Sequence, residues 1–202
     1  MTTQRYHHGN LREALAEAAV QAVREHGPDG LAVRDLARRV GVSHNAAYRH
    51  FADRDALVDV VAEHALAGLV VAMQRRLAGV TETEPVARAR RRLIEIGVGY
   101  VDYAVAEPGL FRLLFTAYPE APEPDGKAGD PYGLLNAALD DLVDVGYLSP
   151  AVRPGAEIGC WSAVHGFSVL CTEGPLRSMP DDERQAALTA MLSSIDLAYG
   201  VS

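Results

Sequence analysis

Two short helical segments separated by a single glycine constrain this chain more than any other feature. Leu31 to Val40 has apolar residues at helical spacing, Gly41 follows, and a second short segment ends at Phe51. Glycine adopts a positive φ at little cost, and Ser43 is placed to cap the second segment. This pattern predicts a helix–turn–helix motif.

The second segment of the motif carries mostly polar side chains. Ala47 and Phe51, four residues apart, are expected to pack inward. The side chains left to face outward are those of His44, Asn45, Tyr48 and Arg49. Short helices that present polar groups in this way enter the major groove of DNA.

Helical periodicity also dominates the rest of the chain. Asn10 and Glu13 resemble a capping box before a first helix that ends near His26. The later helices are expected over Asp55 to Ala78, Val86 to Ala106, a short piece through Phe111 and Phe115, Tyr132 to Val145, Gly155 to Thr172 and Asp181 to Tyr199. Tyr118 to Pro131 is rich in proline and glycine and is predicted to be a loop.

These patterns predict an all-α fold in two domains. Residues 1–54 would form a three-helix DNA-binding domain that contains the helix–turn–helix. Residues 55–202 would form a second, helical domain.

Charge is distributed unevenly along the chain. The formal net charge is −8, but residues 1–55 hold eight Arg and seven acidic residues, whereas residues 56–202 hold eleven basic and twenty acidic residues. The first part is therefore +1 and the second −9. Any contact with a polyanion is expected near the N-terminus.

Several classes of protein are disfavoured. No nucleophile and base, paired carboxylates, metal-ligand cluster or phosphate loop occurs at workable spacing, so neither an enzyme nor a cofactor or metal site is predicted. Cys160 and Cys171 lie eleven positions apart, too far for a disulfide within one helix. We expect two buried small side chains, with thiol sensing as the alternative.

No membrane segment or export signal is expected. The longest uninterrupted apolar run, Ala65 to Met73, is well short of the roughly 20 residues that span a bilayer. Met1 to Asn10 is polar and lacks the apolar region of a secretory signal. These features predict a cytoplasmic protein with no membrane partner.

The N-terminal residues resemble the TetR family of bacterial transcription regulators. The resemblance rests on Tyr6 to Arg12, Val33 to Ala37, Gly41 to Ser43, Ala47-Tyr48, His50-Phe51 and Arg54 to Leu57. It implies a regulator that binds double-stranded operator DNA, with residues 55–202 as its ligand-binding and dimerisation domain. One departure is Ala32, which stands where the family usually has a Thr or Ser cap.

The resemblance also implies roles for individual residues. The positions expected to contact phosphates are Arg34, Ser43, Tyr48, His50 and Arg54, with Arg34 sometimes contacting a base. His44 and Asn45 match positions that face base edges, where Asn pairs with adenine. The alternatives are half-buried packing for Tyr48 and His50 and a solvated surface charge for Arg54.

The C-terminal part resembles the family more loosely. Trp161 with His165-Gly166 is similar to the signature of the Trp/His-Gly subgroup, and Pro108 to Phe115 is similar to a segment those domains share. An unidentified, mostly apolar effector is expected to touch Tyr100, Phe111, Phe115, Trp161 and His165. The alternative is that these aromatic residues are plain core.

A homodimer is predicted from a stripe of small residues in the last helix. The stripe comprises Ala187, Ala190, Met191, Ser194 and Ile195, opposite Val164, Phe167 and Cys171 of the preceding helix. Burial of the stripe in its own domain is the alternative.

Two further alternatives stay open. The Arg88 to Arg92 cluster is either a second polyanion site or only a charged helix surface. The chain as a whole is either a DNA-binding regulator or a helical dimeric binding protein that has lost DNA recognition and kept a sensing pocket.

Overall fold

A computed structural model describes residues 11–117 and 130–200, and their regular structure is entirely helical. The predicted all-α fold is therefore confirmed. The helices are α1 (Leu11–His26), α2 (Val33–Val40), α3 (His44–Tyr48), α4 (Arg54–Ala78), α5 (Pro85–Ala106), α6 (Pro108–Ala117), α7 (Pro131–Asp144), α8 (Ala156–Thr172) and α9 (Asp181–Tyr199), with a 3₁₀ turn at Pro28–Gly30.

The predicted loop before α7 is one residue too long at its C-terminal end. Pro131 belongs to the first turn of α7, where its missing N–H costs nothing. Asp130 caps this helix, because its Oδ1 accepts a hydrogen bond from the Gly133 N–H at 2.5 Å. The rest of that loop and Asn10 of the expected capping box lie outside the described residues.

The described residues fall into two compact units, and the division differs from the predicted boundary after Arg54. The first unit comprises residues 11–67 and 107–117, and the second comprises residues 68–106 and 130–200. The first half of α4 and all of α6 thus belong with the helix–turn–helix.

Close packing explains why α6 joins the first unit. A Cβ added to Gly109 would lie 2.4 Å from the carbonyl oxygen of Val23, so only glycine allows α1 and α6 to approach this closely. Beside this crossing, the guanidinium of Arg24 donates hydrogen bonds to both carboxylate oxygens of Glu107, at 2.7 to 3.1 Å. Sequence periodicity identifies α6 but not the core that it joins.

The helix–turn–helix in the first unit forms as predicted. Gly41 has a φ of 77°, and the Val42 N–H donates to the Ala37 carbonyl at 2.9 Å, which closes the turn. Ala47 and Phe51 are buried as expected. Ala32 supplies no side-chain cap to α2, consistent with the departure noted in the sequence.

The second unit is built around α5, which packs on α7, α8 and α9. Its close helix crossing occurs at Gly99, where an added Cβ would lie 2.7 Å from the Cα of Met73 in α4. Gly166 lies on the exposed side of α8, and no atom of the described chain lies within 4 Å of its Cβ position.

Three members of the arginine cluster on α5 are engaged in ion pairs. Arg91 pairs with Glu95 at 2.6 Å and Arg92 with Asp141 at 2.8 Å. Arg90 pairs with Asp196 of α9, a residue only 4% exposed, and lies 4.8 Å over the ring of Tyr147. These contacts favour the interpretation of the cluster as a charged helix surface that forms ion pairs, rather than as a second polyanion site.

One of the described helices, α4, is long and apolar enough to cross a membrane by length and composition, with a mean hydropathy of 1.8 over 18 residues. A search for uninterrupted apolar residues alone does not detect this helix. Core helices pass the same test, and Leu57, Val61, Ala65, Leu69 and Met73 form a buried stripe along α4. This single helix is weak evidence for a membrane protein.

Candidate DNA interface and candidate sensing site

The recognition segment is held by its cap and by two buried side chains. Ser43 precedes α3 in an extended conformation, and its Oγ accepts a hydrogen bond from the Ala46 N–H at 3.3 Å. Ala47 and Phe51 are inserted into the core of the first unit. This arrangement orients α3 so that its polar residues face away from the core.

The seven predicted DNA-binding residues are all exposed. They are Arg34, Ser43, His44, Asn45, Tyr48, His50 and Arg54. Tyr48 is 42% exposed, which favours an outward-facing side chain over half-buried packing. Arg54 differs from the others, because its guanidinium donates a hydrogen bond to the Pro28 carbonyl at 2.9 Å and so links the start of α4 to the 3₁₀ turn.

Arginines in the first unit divide into two groups by their partners. Arg38 pairs with Asp35 at 2.8 Å and Arg39 pairs with Glu25 at 2.9 Å, so these charges are neutralised locally. Of the arginines in this unit that have no carboxylate partner among the described residues, Arg112 is half-buried, and the exposed ones are Arg12, Arg34, Arg49 and Arg54. Exposed cations without a carboxylate are the ones available to phosphates.

Arg12 and Arg49 were not among the predicted DNA-binding residues. The guanidinium of Arg12, in the first turn of α1, lies 5.2 Å over the ring of Phe51 and is thereby held beside the end of the recognition segment. Arg49 is exposed and caps the C-terminal end of α3. Arg49 was already expected to face outward, whereas no sequence signal brings Arg12 next to Phe51.

In the second unit, three of the predicted effector-binding residues form a hydrogen-bond cluster, which we call the Tyr100 cluster: Tyr100 of α5 with Trp161 and His165 of α8. The indole N–H of Trp161 donates to the Tyr100 hydroxyl at 3.2 Å. The same hydroxyl lies 3.0 Å from Nδ1 of His165. Tyr132 of α7 makes an edge contact with Trp161, at 6.0 Å between ring centroids.

Burial sets the protonation of this cluster. It raises the pKa of the Tyr100 hydroxyl well above its ordinary value, although the Trp161 hydrogen bond partly opposes this shift. It also lowers the pKa of His165, because the imidazolium is poorly solvated there. At neutral pH both side chains are uncharged.

The other two predicted effector-binding residues lie in the first unit. Phe111 and Phe115 of α6 contact each other, with ring centroids 4.9 Å apart, and Phe111 is buried. The five predicted residues are therefore distributed over two units, with Tyr100, Trp161 and His165 brought together in one of them.

The predicted dimer surface is only partly available. Val164, Phe167 and Cys171 are buried within their own unit, so the expectation that they face a partner was wrong. They turn inward because α8 packs its apolar side against α5. The large apolar side chains that α8 and α9 expose are Ile158, Val169, Leu170 and Leu197.

Two sequence families match this architecture. Residues 15–61 match the family described as "Bacterial regulatory proteins, tetR family", and residues 93–195 match "Tetracyclin repressor-like, C-terminal domain". The chain belongs to the TetR family. The members of this family that match are helix–turn–helix transcriptional regulators rather than enzymes. The Trp/His-Gly subgroup predicted from the sequence is not identified by this C-terminal match.

Individual relatives agree with this assignment. A protein of unknown function from Rhodococcus sp. RHA1 is 30% identical, with a TM-score of 0.74 over 98% of this chain and 100% of that one. The regulator BetI of Pectobacterium carotovorum is 32% identical over 79 residues, 39% of this chain and 40% of its own length. This chain therefore covers less than half of that curated relative.

A more distant TetR structure shares the fold. A TetR variant from Acinetobacter baumannii in complex with minocycline is 23% identical, with a TM-score of 0.62 over 93% of this chain and 94% of that one. At this level of identity the likeness concerns the fold alone.

Proposed function

We propose that this TetR-family protein is a ligand-responsive repressor that binds a palindromic operator as a homodimer. The observation that carries the proposal is the surface around α3, where polar side chains are exposed and four arginines lack a carboxylate partner among the described residues. The remainder of the chain, residues 56–202, has a net charge of −9, so its overall charge does not favour a polyanion.

The proposed division of labour on this surface follows the chemistry of the side chains. Asn45, exposed in the first turn of α3, offers an amide that pairs with adenine, and His44 lies beside it. Arg34, Ser43, Tyr48 and His50 would contact phosphates. Arg54 would contribute charge while it is anchored to the Pro28 carbonyl.

The proposed dimer uses the sides of α8 and α9 that face away from their own core. Leu197 is 71% exposed, and Ala190 and Ser194 lie on the same side of α9. The open space at Gly166 of α8 would admit a helix from a second subunit. Dimer symmetry would then impose a palindromic operator.

The proposed sensing site is the Tyr100 cluster. Its three polar side chains lie at the packing surface of α5 and α8, the most extensively packed helices of the second unit. An effector that binds there would release DNA only as far as it favours the non-binding state. As a DNA-binding regulator the protein would act in the cytoplasm, without a membrane partner or a cofactor.

Selection of bound sequences from random double-stranded DNA tests the operator proposal. We expect the selected sequences to be palindromic, with half-sites one helical turn or more apart. Asn45→Ala should change the free-energy preference among bases at one position per half-site by about 1 to 3 kcal/mol. A helical sensor that has lost DNA recognition would instead yield no enriched sequence, and that outcome would reject the proposal.

A further inference from the structure

The arginine cluster of α5 leaves one member without a carboxylate partner. Arg88 is exposed and forms no ion pair with any described residue, in contrast to the three arginines that follow it on the helix. It lines a cavity of about 420 Å³ between the start of α5 and the end of α7. The other lining residues are Thr83, Pro85, Ala89, Arg92, Asp141, Asp144 and Val145. None of them belongs to the Tyr100 cluster or to the surface around α3, so the cavity is a separate feature.

The charged side chains of this cavity form two like-charged pairs. Arg88 and Arg92 lie four residues apart on α5, and Asp141 and Asp144 lie three residues apart on α7. One arginine and one aspartate pair across the cavity, because Nε of Arg92 donates a hydrogen bond to Asp141 at 2.8 Å. Arg88 and Asp144 line the same cavity without forming an ion pair, with each other or with any other described residue. One charge of each sign is therefore left uncompensated beside a like charge.

Neither of these two charges stabilises its own helix. Arg88 lies in the first turn of α5, and Asp144 is the last residue of α7, so each charge has the sign that the helix dipole disfavours at that end. The start of α5 is already capped, since the carboxylate of Glu84 accepts hydrogen bonds from the N–H groups of Val86 and Ala87 at 3.0 and 2.6 Å. The two charges therefore have no role in the helices that carry them.

The lining specifies the charge of a ligand. With two arginines and two aspartates, its net charge is zero, so an anion would be repelled by the aspartates and a cation by the arginines. A molecule that carries both charges would satisfy both sides, because a guanidinium binds a carboxylate and a carboxylate accepts from an ammonium group. Apolar contact area comes from Pro85, Ala89 and Val145.

We propose that this cavity binds a small zwitterion, an amino acid with an apolar side chain. Its carboxylate pairs with Arg88 and its ammonium group with Asp144. The bound ligand also relieves the repulsion within each like-charged pair on α5 and α7. This site is distinct from the proposed sensing site and goes beyond the proposed function.

Three probes with one branched chain test the ligand class: L-leucine, 4-methylpentanoate, which lacks the amino group, and 3-methylbutylamine, which lacks the carboxylate. Binding to the full-length protein is measured by isothermal titration calorimetry without DNA. We expect leucine to bind and each singly charged analogue to bind at least about tenfold more weakly, because one charge of the cavity stays unpaired. Equal or tighter binding of either analogue, or no binding of leucine, would overturn the proposal.

Two variants separate ligand contact from a structural role. Arg88→Gln and Asp144→Asn should each weaken leucine binding at least about tenfold without lowering the Tm, because both charges are unfavourable for their helices. Arg75→Gln and Asp182→Asn are matched controls that remove the same charges at exposed positions outside the cavity, and they should leave binding unchanged. A lower Tm with unchanged affinity in the cavity variants would mean that the charges serve the fold, and equal losses in the controls would mean unspecific attraction. Either result would overturn the proposal.

Failure of this inference is distinguishable from failure of the proposed function. Operator binding is measured separately, by fluorescence anisotropy of the selected DNA, and its absence would not affect leucine binding. His165→Gln, within the Tyr100 cluster, should leave leucine binding unchanged. Loss of leucine binding in this variant would place the ligand in the Tyr100 cluster and reject the cavity between α5 and α7.

Discussion

The surface around α3 and the Tyr100 cluster use polar side chains in opposite ways. Around α3 the polar side chains are exposed, and Arg12, Arg34, Arg49 and Arg54 have no carboxylate partner in the described part of the chain. In the Tyr100 cluster the side chains are largely buried, neutral and hydrogen-bonded to one another. The first arrangement suits long-range attraction to a polyanion, and the second suits short-range, directional selection of a small molecule.

The largest expected effect is the salt dependence of operator binding. The four exposed arginines around α3 that have no carboxylate partner among the described residues give about eight phosphate contacts in a dimer, so the slope of log K against log salt should be about −7. Affinity should fall roughly ten-thousandfold between about 50 and 200 mM salt. Anisotropy titrations of the protein with the selected operator DNA measure this dependence.

Arg34 and Arg38 provide a matched pair on one helix for the same experiment. Arg34→Ala should reduce the magnitude of the slope by about 2, one contact per subunit, whereas Arg38→Ala removes a charge already paired with Asp35 and should reduce it less. Equal effects of the two substitutions would contradict the division of arginines by their partners.

Next in size is the effect of blocking the proposed dimer surface. Ala190→Arg should give monomers, because a long charged side chain prevents close contact of α9 with a second subunit. Operator affinity should fall on the order of 10²- to 10⁴-fold, since the two half-sites are no longer bound by two DNA-binding units that the dimer holds together. Light scattering after size exclusion measures the mass, with Ala190→Ser as the control that keeps a small side chain.

A dimer that persists in Ala190→Arg would place the interface elsewhere. A monodisperse monomer of the unaltered protein would reject the dimer proposal altogether.

Smaller effects, on the stability of the protein, are expected when one ion pair in each of the two units is broken. Arg90→Ala leaves the carboxylate of Asp196 buried without its partner and should destabilise the protein by about 2 kcal/mol, below the range for fully buried pairs because Arg90 is 38% exposed. Arg39→Ala breaks a pair with Glu25, whose side chain is 48% exposed against 6% for Asp196, and should leave the Tm nearly unchanged. Urea denaturation compares the two, and similar losses would contradict the distinction.

The smallest expected effect is a loss of stability at acid pH caused by His165. Burial lowers its pKa in the folded protein, so as the pH falls below about 6.5 the unfolded chain binds a proton before the folded one does. The free energy of unfolding should therefore decrease between about pH 6.5 and the folded pKa, and be insensitive to this group above that window. Urea denaturation should show a weaker pH dependence for His165→Gln, and an unchanged dependence would exclude His165 as its source.

Local patterns in the sequence determined the helical elements and the recognition surface. Gly41, Ser43 and the spacing of Ala47 and Phe51 specify a turn, a cap and an inward face within about twenty residues. Once those inward positions are set, the remaining side chains of α3 must face solvent. Exposure of the predicted DNA-binding residues could thus be anticipated from the sequence alone.

Contacts between distant segments were decided only by the tertiary structure. The assignment of α6 to the first unit depends on Gly109 meeting the backbone at Val23, and the placement of Arg12 depends on the ring of Phe51. Neither contact leaves a periodic signal, because the residues involved are far apart along the chain.

The Tyr100 cluster shows both contributions. Spacing along α8 places Trp161 and His165 on one side of a helix, but it does not indicate that Tyr100 of α5 joins them or that Phe111 packs in another unit. It also does not reveal that the Ser168 hydroxyl is buried without a partner among the described residues. Periodicity determines which residues share a face, whereas burial and hydrogen-bond partners depend on which helix covers that face.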